Sequence, residues 1–217
     1  MAKDKKWASK ALIVLAALVV LAPSWLRTFD TFELATLDLR YRLRPAQPQN
    51  KDIAIIEIAE DTLEKVGRWP FTRNWHADII SILSKSGAKS IIFDVLFAEP
   101  SEHDAILAES TRMAGNVYYA CAFDRLETGK SGAIKAGGID AFPLKVLRDA
   151  ARGTGFINLI PDKDGKTRRA PLNIRYEDKI YRHIALLAAA GYMGKSPDDI
   201  DIPVDGSGMA LINFAGK

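Results

Sequence analysis

The first 26 residues set the terms for the rest of the chain. Lys3, Lys5, Lys6 and Lys10 outnumber Asp4 ahead of residues 11–22, twelve apolar residues without a break; Pro23, Ser24, Trp25 and Leu26 prolong the uncharged stretch to sixteen. A basic flank before an apolar run is an export pattern, and the small residues Ala22 and Ser24 suit cleavage of a signal peptide. A retained anchor needs about 17–25 residues to cross the bilayer core. Trp7 and Trp25 bracket the run as interfacial aromatics do, and Lys10 can snorkel to the headgroups. These flanks favour a transmembrane anchor over residues 11–26, with residues 1–10 as a cytoplasmic basic leader. On either reading the lysines stay inside and residues 27–217 are exported. A buried core helix would not account for four lysines ahead of an N-terminal apolar run.

The same leader explains the charge. Residues 1–10 carry +3, the whole formal net charge of the chain, so residues 11–217 sum to zero. Affinity for nucleic acid comes mainly from Lys and Arg neutralising many phosphates, so no nucleic-acid partner is expected. Cys121 is the only cysteine, which excludes an intrachain disulfide, a paired-thiol redox site and a Cys-rich zinc site.

Past the leader, residues 29–44 alternate Phe29, Phe32, Leu34, Leu37, Leu39, Tyr41 and Leu43 with charges and close on Arg40, Arg42 and Arg44, predicting a helix that leads out of the membrane. Pro45 and Pro48 mark residues 45–51 as a linker. Residues 53–58, β-branched and apolar, predict a buried strand. Trp75, Ile79, Ile80 and Leu83 predict a helix over 73–86, with Gly87 at its left-handed cap, and residues 90–97 predict a second strand. Strand, helix and strand make a βαβ unit with parallel strands. Ser101 and Asp104 have capping-box spacing and open a helix to about Met113; residues 117–122 are the next strand. The pattern then changes: residues 156–160, a turn at 161–165, and residues 170–176 followed by a turn at 177–179 predict antiparallel pairing. A helix over 184–193 stops at Gly194, and residues 210–214 form a last strand. The fold class is therefore α/β, a mostly parallel sheet with βαβ units plus an antiparallel extension, preceded by an N-terminal transmembrane helix.

Candidate chemistry concentrates where strands end. Glu60, Asp61, Asp94, Glu99 and Asp104 mostly follow the carboxyl ends of predicted strands, where open α/β sheets place ligands. Two of them could serve as general acid and base, although Leu96 stands where an aspartate-nucleophile phosphotransferase would want a second carboxylate after Asp94. Helix capping and solvated loop charge explain the same residues. Asp162, Asp164 and Gly165 resemble a calcium loop only superficially, because in EF-hand register Ile160 and Pro171 take the first and twelfth positions; a tight Asp-Gly turn accounts for them. His76, His103 and His183 show no metal-ligand spacing, and no nucleophile elbow or phosphate loop is present, so neither a metal nor a cofactor is expected. Residues 67–73, Gly-Arg-Trp-Pro-Phe-Thr-Arg, are the most unusual local composition. Their aromatics should pack over the sheet end, with a ligand-facing rim as the functional version.

These blocks resemble the second type of CHASE domain, the extracytoplasmic sensor attached to bacterial cyclases, histidine kinases and Ser/Thr kinases. The likeness is carried by DLRYRLR at 38–44, GRWPFTR at 67–73, FDVLFAEP at 93–100 with Asp104 four residues on, GFINLIPDKDGKTRRAP at 155–171 and LINFAG at 211–216. It covers roughly residues 30–217. Two departures stand out: Ala59 occupies a position that is often acidic, and family members usually continue past the last block into more sensor sequence, membrane helices and an output domain. The resemblance implies a membrane-anchored sensor at the cytoplasmic membrane, N-terminus inside, its sensor domain periplasmic or extracellular and incomplete at its C-terminus, not an enzyme. The expected partners are the membrane, an unidentified extracytoplasmic ligand and a second copy in a homodimer. Glu60, Asp61, Arg68, Trp69, Arg73, Asp94 and Asp104 are the candidate ligand-facing residues. The competing readings are an exported hydrolase using Asp94 with Glu60 or Asp104, and an envelope protein that assembles through Trp69.

Overall fold

A computed structural model describes residues 30–48, 50–129 and 133–214. The anchor expected over residues 11–26 lies outside them; among the described residues, no helix is long and apolar enough to cross a membrane. The chain divides into a smaller unit, Met1–Ile53 with Lys163–Gly165 and Asn213–Lys217, and a larger one, Ala54–Asp162 with Lys166–Ile212.

In the smaller unit α1 (Asp30–Leu43) is the helix expected over 29–44, and its last turn carries Arg40 and Arg42, where cations oppose the negative end of the helix dipole. After it, residues 45–48 form no helix or strand.

The larger unit opens with a departure from expectation. Residues 53–58, predicted as a buried strand, form no strand, and Ile55 is 89% exposed and Ile56 60%. β-branching favours a strand locally, but a strand exists only where a neighbouring chain completes the ladder, and none does so here among the described residues. The helices α2 (Glu60–Val66) and α3 (Arg73–Lys85) follow, the second ending before Gly87 at φ 84°. The parallel crossover is instead built one step later, from β1 (Ile91–Phe93) through α4 (Asp104–Ala114) to β2 (Val117–Thr128), with Ile91 paired to Val117. Next come β3 (Ile134–Ala141), α5 (Lys145–Ala150) and β4 (Gly153–Phe156). β4 lies parallel to β2, Tyr118 opposite Gly153, not in the antiparallel pair expected for 156–160.

β5 (Arg169–Pro171), β6 (Asn173–Tyr176), β7 (Lys179–Arg182), α6 (Ile184–Met193) and β8 (Met209–Leu211) complete the unit. β6 and β7 are the antiparallel hairpin expected around Glu177, which takes φ 50°. α6 has the expected bounds and ends on Gly194 in the left-handed conformation. β5 pairs antiparallel with β8 in a separate two-stranded ribbon. Among the described residues, three of the five pairings in the main sheet are parallel, so the α/β class with a mostly parallel sheet and an antiparallel extension is what the chain folds into.

β2 organises this sheet. Its first seven residues are all buried, as a strand covered on both faces must be. Val117 and Tyr119 point into a core with Ile80, Phe93, Phe97, Leu107 and Leu147 under α3, α4 and α5. Tyr118 and Ala120 meet Ile184 of α6 on the other face. The second half of β2 pairs with β3, β3 with β6 and β6 with β7; His183, just past β7, then bridges to Phe156 at the end of β4, which returns to β2. That circuit wraps a further core of Cys121, Phe123, Ile134, Phe156 and Ile174.

Candidate functional site

The carboxyl end of β1 is where residues 67–73 and residues 93–104 meet, and Arg73 is their junction. Placed at the start of α3 and 9% exposed, its guanidinium donates from Nε to Asp104 Oδ1 at 2.7 Å and from Nη2 to the Glu99 carbonyl at 2.8 Å. Its Cζ lies 4.7 Å from the Phe97 ring centre, which adds a cation–π contact. The second oxygen of Asp104 accepts the Ser101 N–H at 2.6 Å, closing the turn that leads into α4. One buried arginine thus joins the Trp-Pro-Phe block, the β1 loop and the N-terminus of α4.

An aromatic stack lies behind this pair. His76 is 2% exposed and meets Trp69, Phe93 and Phe97 edge-on at 5.9, 5.8 and 5.1 Å. Burial, reinforced by the Arg73 charge, lowers its pKa to about 4, so the imidazole is neutral at ordinary pH. Tyr119 packs on Phe93 and Phe97 and shares a 2.6 Å hydrogen bond with Thr111. Thr111 donates its own proton to the Leu107 carbonyl at 2.7 Å, so the tyrosine hydroxyl is the donor in the shared bond. Burial pushes the Tyr119 pKa up to about 12. Trp69 follows this stack outward, edge-on to Phe71 at 5.4 Å, and remains 44% exposed beside a cis Trp69–Pro70 peptide.

The residues singled out from the sequence therefore separate. Arg73 and Asp104 are brought together and Trp69 rides on the same stack. Asp94 lies elsewhere: β1 buries Ile91 and Phe93 on the α3–α4 side and exposes Ile92, and alternation continues Ile92 into Asp94 on the opposite face. There Asp94 acts on His183, whose pKa burial lowers and the Asp94 charge raises in part. Glu60 and Asp61 sit exposed in the first turn of α2, Asp61 within 3.8 Å of Lys65, and Arg68 is exposed beyond that helix.

Sequence reasoning passed over His76 and His183, because scattered histidines carry no metal signal. His183 Nδ1 accepts the Ala185 N–H at 3.2 Å as the N-cap of α6, which leaves the proton on Nε2; that atom is buried with no hydrogen-bond partner among the described residues. Arg168, beside the Asp-Gly turn, is 3% exposed and binds Asp162 at 3.0 Å. Asp162 also accepts from Arg169 at 3.0 Å, and the turn closes through Asp162 N–H to the Lys166 carbonyl. Among the described residues no group of three His, Cys, Asp or Glu could hold a metal ion.

Two of the sequence blocks thus meet at the carboxyl end of a parallel strand, beside the half-exposed Trp69. The family model for the CHASE2 domain matches residues 12–217. The chain belongs to the CHASE2 family, the extracytoplasmic sensory domains of signalling receptors. No curated protein and no solved structure matches it.

Proposed function

We propose that this chain is the sensing part of a bacterial membrane receptor: residues 11–26 anchor it in the cytoplasmic membrane, the CHASE2 body lies outside, and ligand binding is passed through α1 toward the membrane. The observation that carries the reading is the CHASE2 match running from residue 12 through α1 to residue 217, so that all but the first residue of the basic-flanked apolar run lies inside the family's own segment. A ligand with different affinity for two states of the body would shift them, and the output it controls would be a cyclase or protein kinase. The ligand-facing rim is Trp69 with Arg68, both exposed, and Asp94 is exposed separately on the other face of the sheet; Arg73 and Asp104 hold the rim in place. The hydrolase reading loses one of its carboxylates, since Asp104 is committed to Arg73. The test is topology. Alkaline phosphatase fused after residue 217 should be active and β-galactosidase at the same point inactive, with the product retained in the membrane fraction after a carbonate wash. The reverse enzyme pattern, or release of a chain shortened by its leader, would overturn the anchored arrangement.

A further inference from the structure

The smaller unit is assembled from three distant pieces of chain: α1 with its linker, the tip of the Asp-Gly turn at Lys163–Gly165, and the tail from Asn213. The last two have a common origin. β5 and β8 pair with Arg169 opposite Leu211, so the turn that precedes β5 and the tail that follows β8 leave from the same end of one two-stranded ribbon. That end is secured in the larger unit, where Ile212 N–H donates to the Arg168 carbonyl at 2.9 Å and the Arg168 guanidinium is held by Asp162.

The tail is then gripped by the helix. Arg44, one residue past α1, donates from Nη1 to Asn213 Oδ1 at 2.5 Å and from Nη2 to the Phe214 carbonyl. Its own N–H continues the helix ladder to Arg40. The guanidinium lies 4.7 Å from the Tyr41 ring centre, and Tyr41 meets Phe214 edge-on at 5.8 Å. Arginine suits this position because its planar fork can place two donors on two acceptors while its face rests on an aromatic ring; a lysine offers a point charge only. Residues 169 positions apart are thereby joined.

From this we infer that Arg44 is a clasp that makes the last turn of α1 and the outgoing end of the β5–β8 ribbon open and close as one element, so that a displacement of the ribbon is delivered to α1. The role belongs to the clasp itself and does not depend on what ligand the body binds or on which side of a membrane it lies. Hydrogen exchange on the full 217-residue chain tests it with Arg44→Gln, Arg44→Lys and Asn213→Ala. Charge-assisted hydrogen bonds of this kind are worth enough that their loss should speed exchange roughly tenfold. The expected result in Arg44→Gln is that increase both at residues 40–44 and at residues 209–212, with residues 118–122 of β2 unchanged as the measure of intact folding; Arg44→Lys should restore only part of the protection. An increase confined to residues 40–44 would overturn the inference. Should β2 also lose protection, Asn213→Ala, which removes one of the two bonds, decides: coupled exchange at both ends with β2 intact supports the clasp, and an effect at residues 209–212 alone overturns it.

Discussion

Arg73 and Asp104 show how much a single pair can be asked to hold. Their side chains are 10% and 13% exposed, so removing either leaves a largely desolvated charge, which typically costs about 3–5 kcal/mol. Arg73→Ala and Asp104→Asn should therefore each lower the urea midpoint strongly, and the double variant should cost far less than their sum; additive losses would mean that the pair does not act as a unit. His76 gives a different dependence. Its pKa falls from 6.5 in the unfolded chain to about 4 in the fold, so the unfolded state takes up the proton first. Stability contributed at this position is complete above pH 6.5, is lost as pH falls toward 4 and changes no further below that. The loss is on the order of 3 kcal/mol for a residue this buried. Chemical unfolding of His76→Phe against the parent at pH 7 and pH 4.5 should show the parent losing more stability between the two; equal slopes would place the imidazole in water.

Between elements, close approach is set by residues with no side chain. A Cβ on Gly155 would stand 2.6 Å from Ile184 Cα and 2.8 Å from its nitrogen, both backbone atoms that cannot rotate away. Gly155→Ala must push the end of β4 from the start of α6, at a cost of roughly 1–3 kcal/mol, and the Phe156–His183 bridge should lose exchange protection before β2 does. A thermal midpoint unchanged from the parent would contradict this packing. The contact also marks where the sequence stops being readable. α1, α3, α4, α6 and the β6–β7 hairpin follow from periodicity, caps and turn residues because their bonds are local. β4 parallel to β2 and β3 parallel to β6 depend on partners far along the chain, which no local pattern encodes. Residues 53–58 have every local mark of a strand and form none for the same reason. At the candidate site the sequence exposed the blocks but not their junction: nothing in Gly-Arg-Trp-Pro-Phe-Thr-Arg says that its second arginine turns inward to Asp104, or that Asp94 faces away from both.

At the scale of the larger unit, the helices α3, α4 and α5 cover one face of the sheet and α6 part of the other, while β1 remains an edge strand with Ile92 46% exposed. Ile55, Ile56 and Ile58 add further apolar surface, and residues 54–58 make no backbone hydrogen bond among the described residues. Exposed apolar surface drives association when it is contiguous, and an edge strand offers unpaired N–H and C=O groups. Because these isoleucines touch little, replacing them should leave the fold almost untouched: Ile55→Lys with Ile56→Lys is expected to shift unfolding by no more than about 0.5 kcal/mol per site. The same pair should lower binding of an apolar dye and reduce self-association in sedimentation, since charge at such a position opposes both. A loss above about 2 kcal/mol would instead show that the segment is packed in solution, as a core position would be. Residues 53–58 would then be the strand their composition announces, with a partner supplied from outside the described chain.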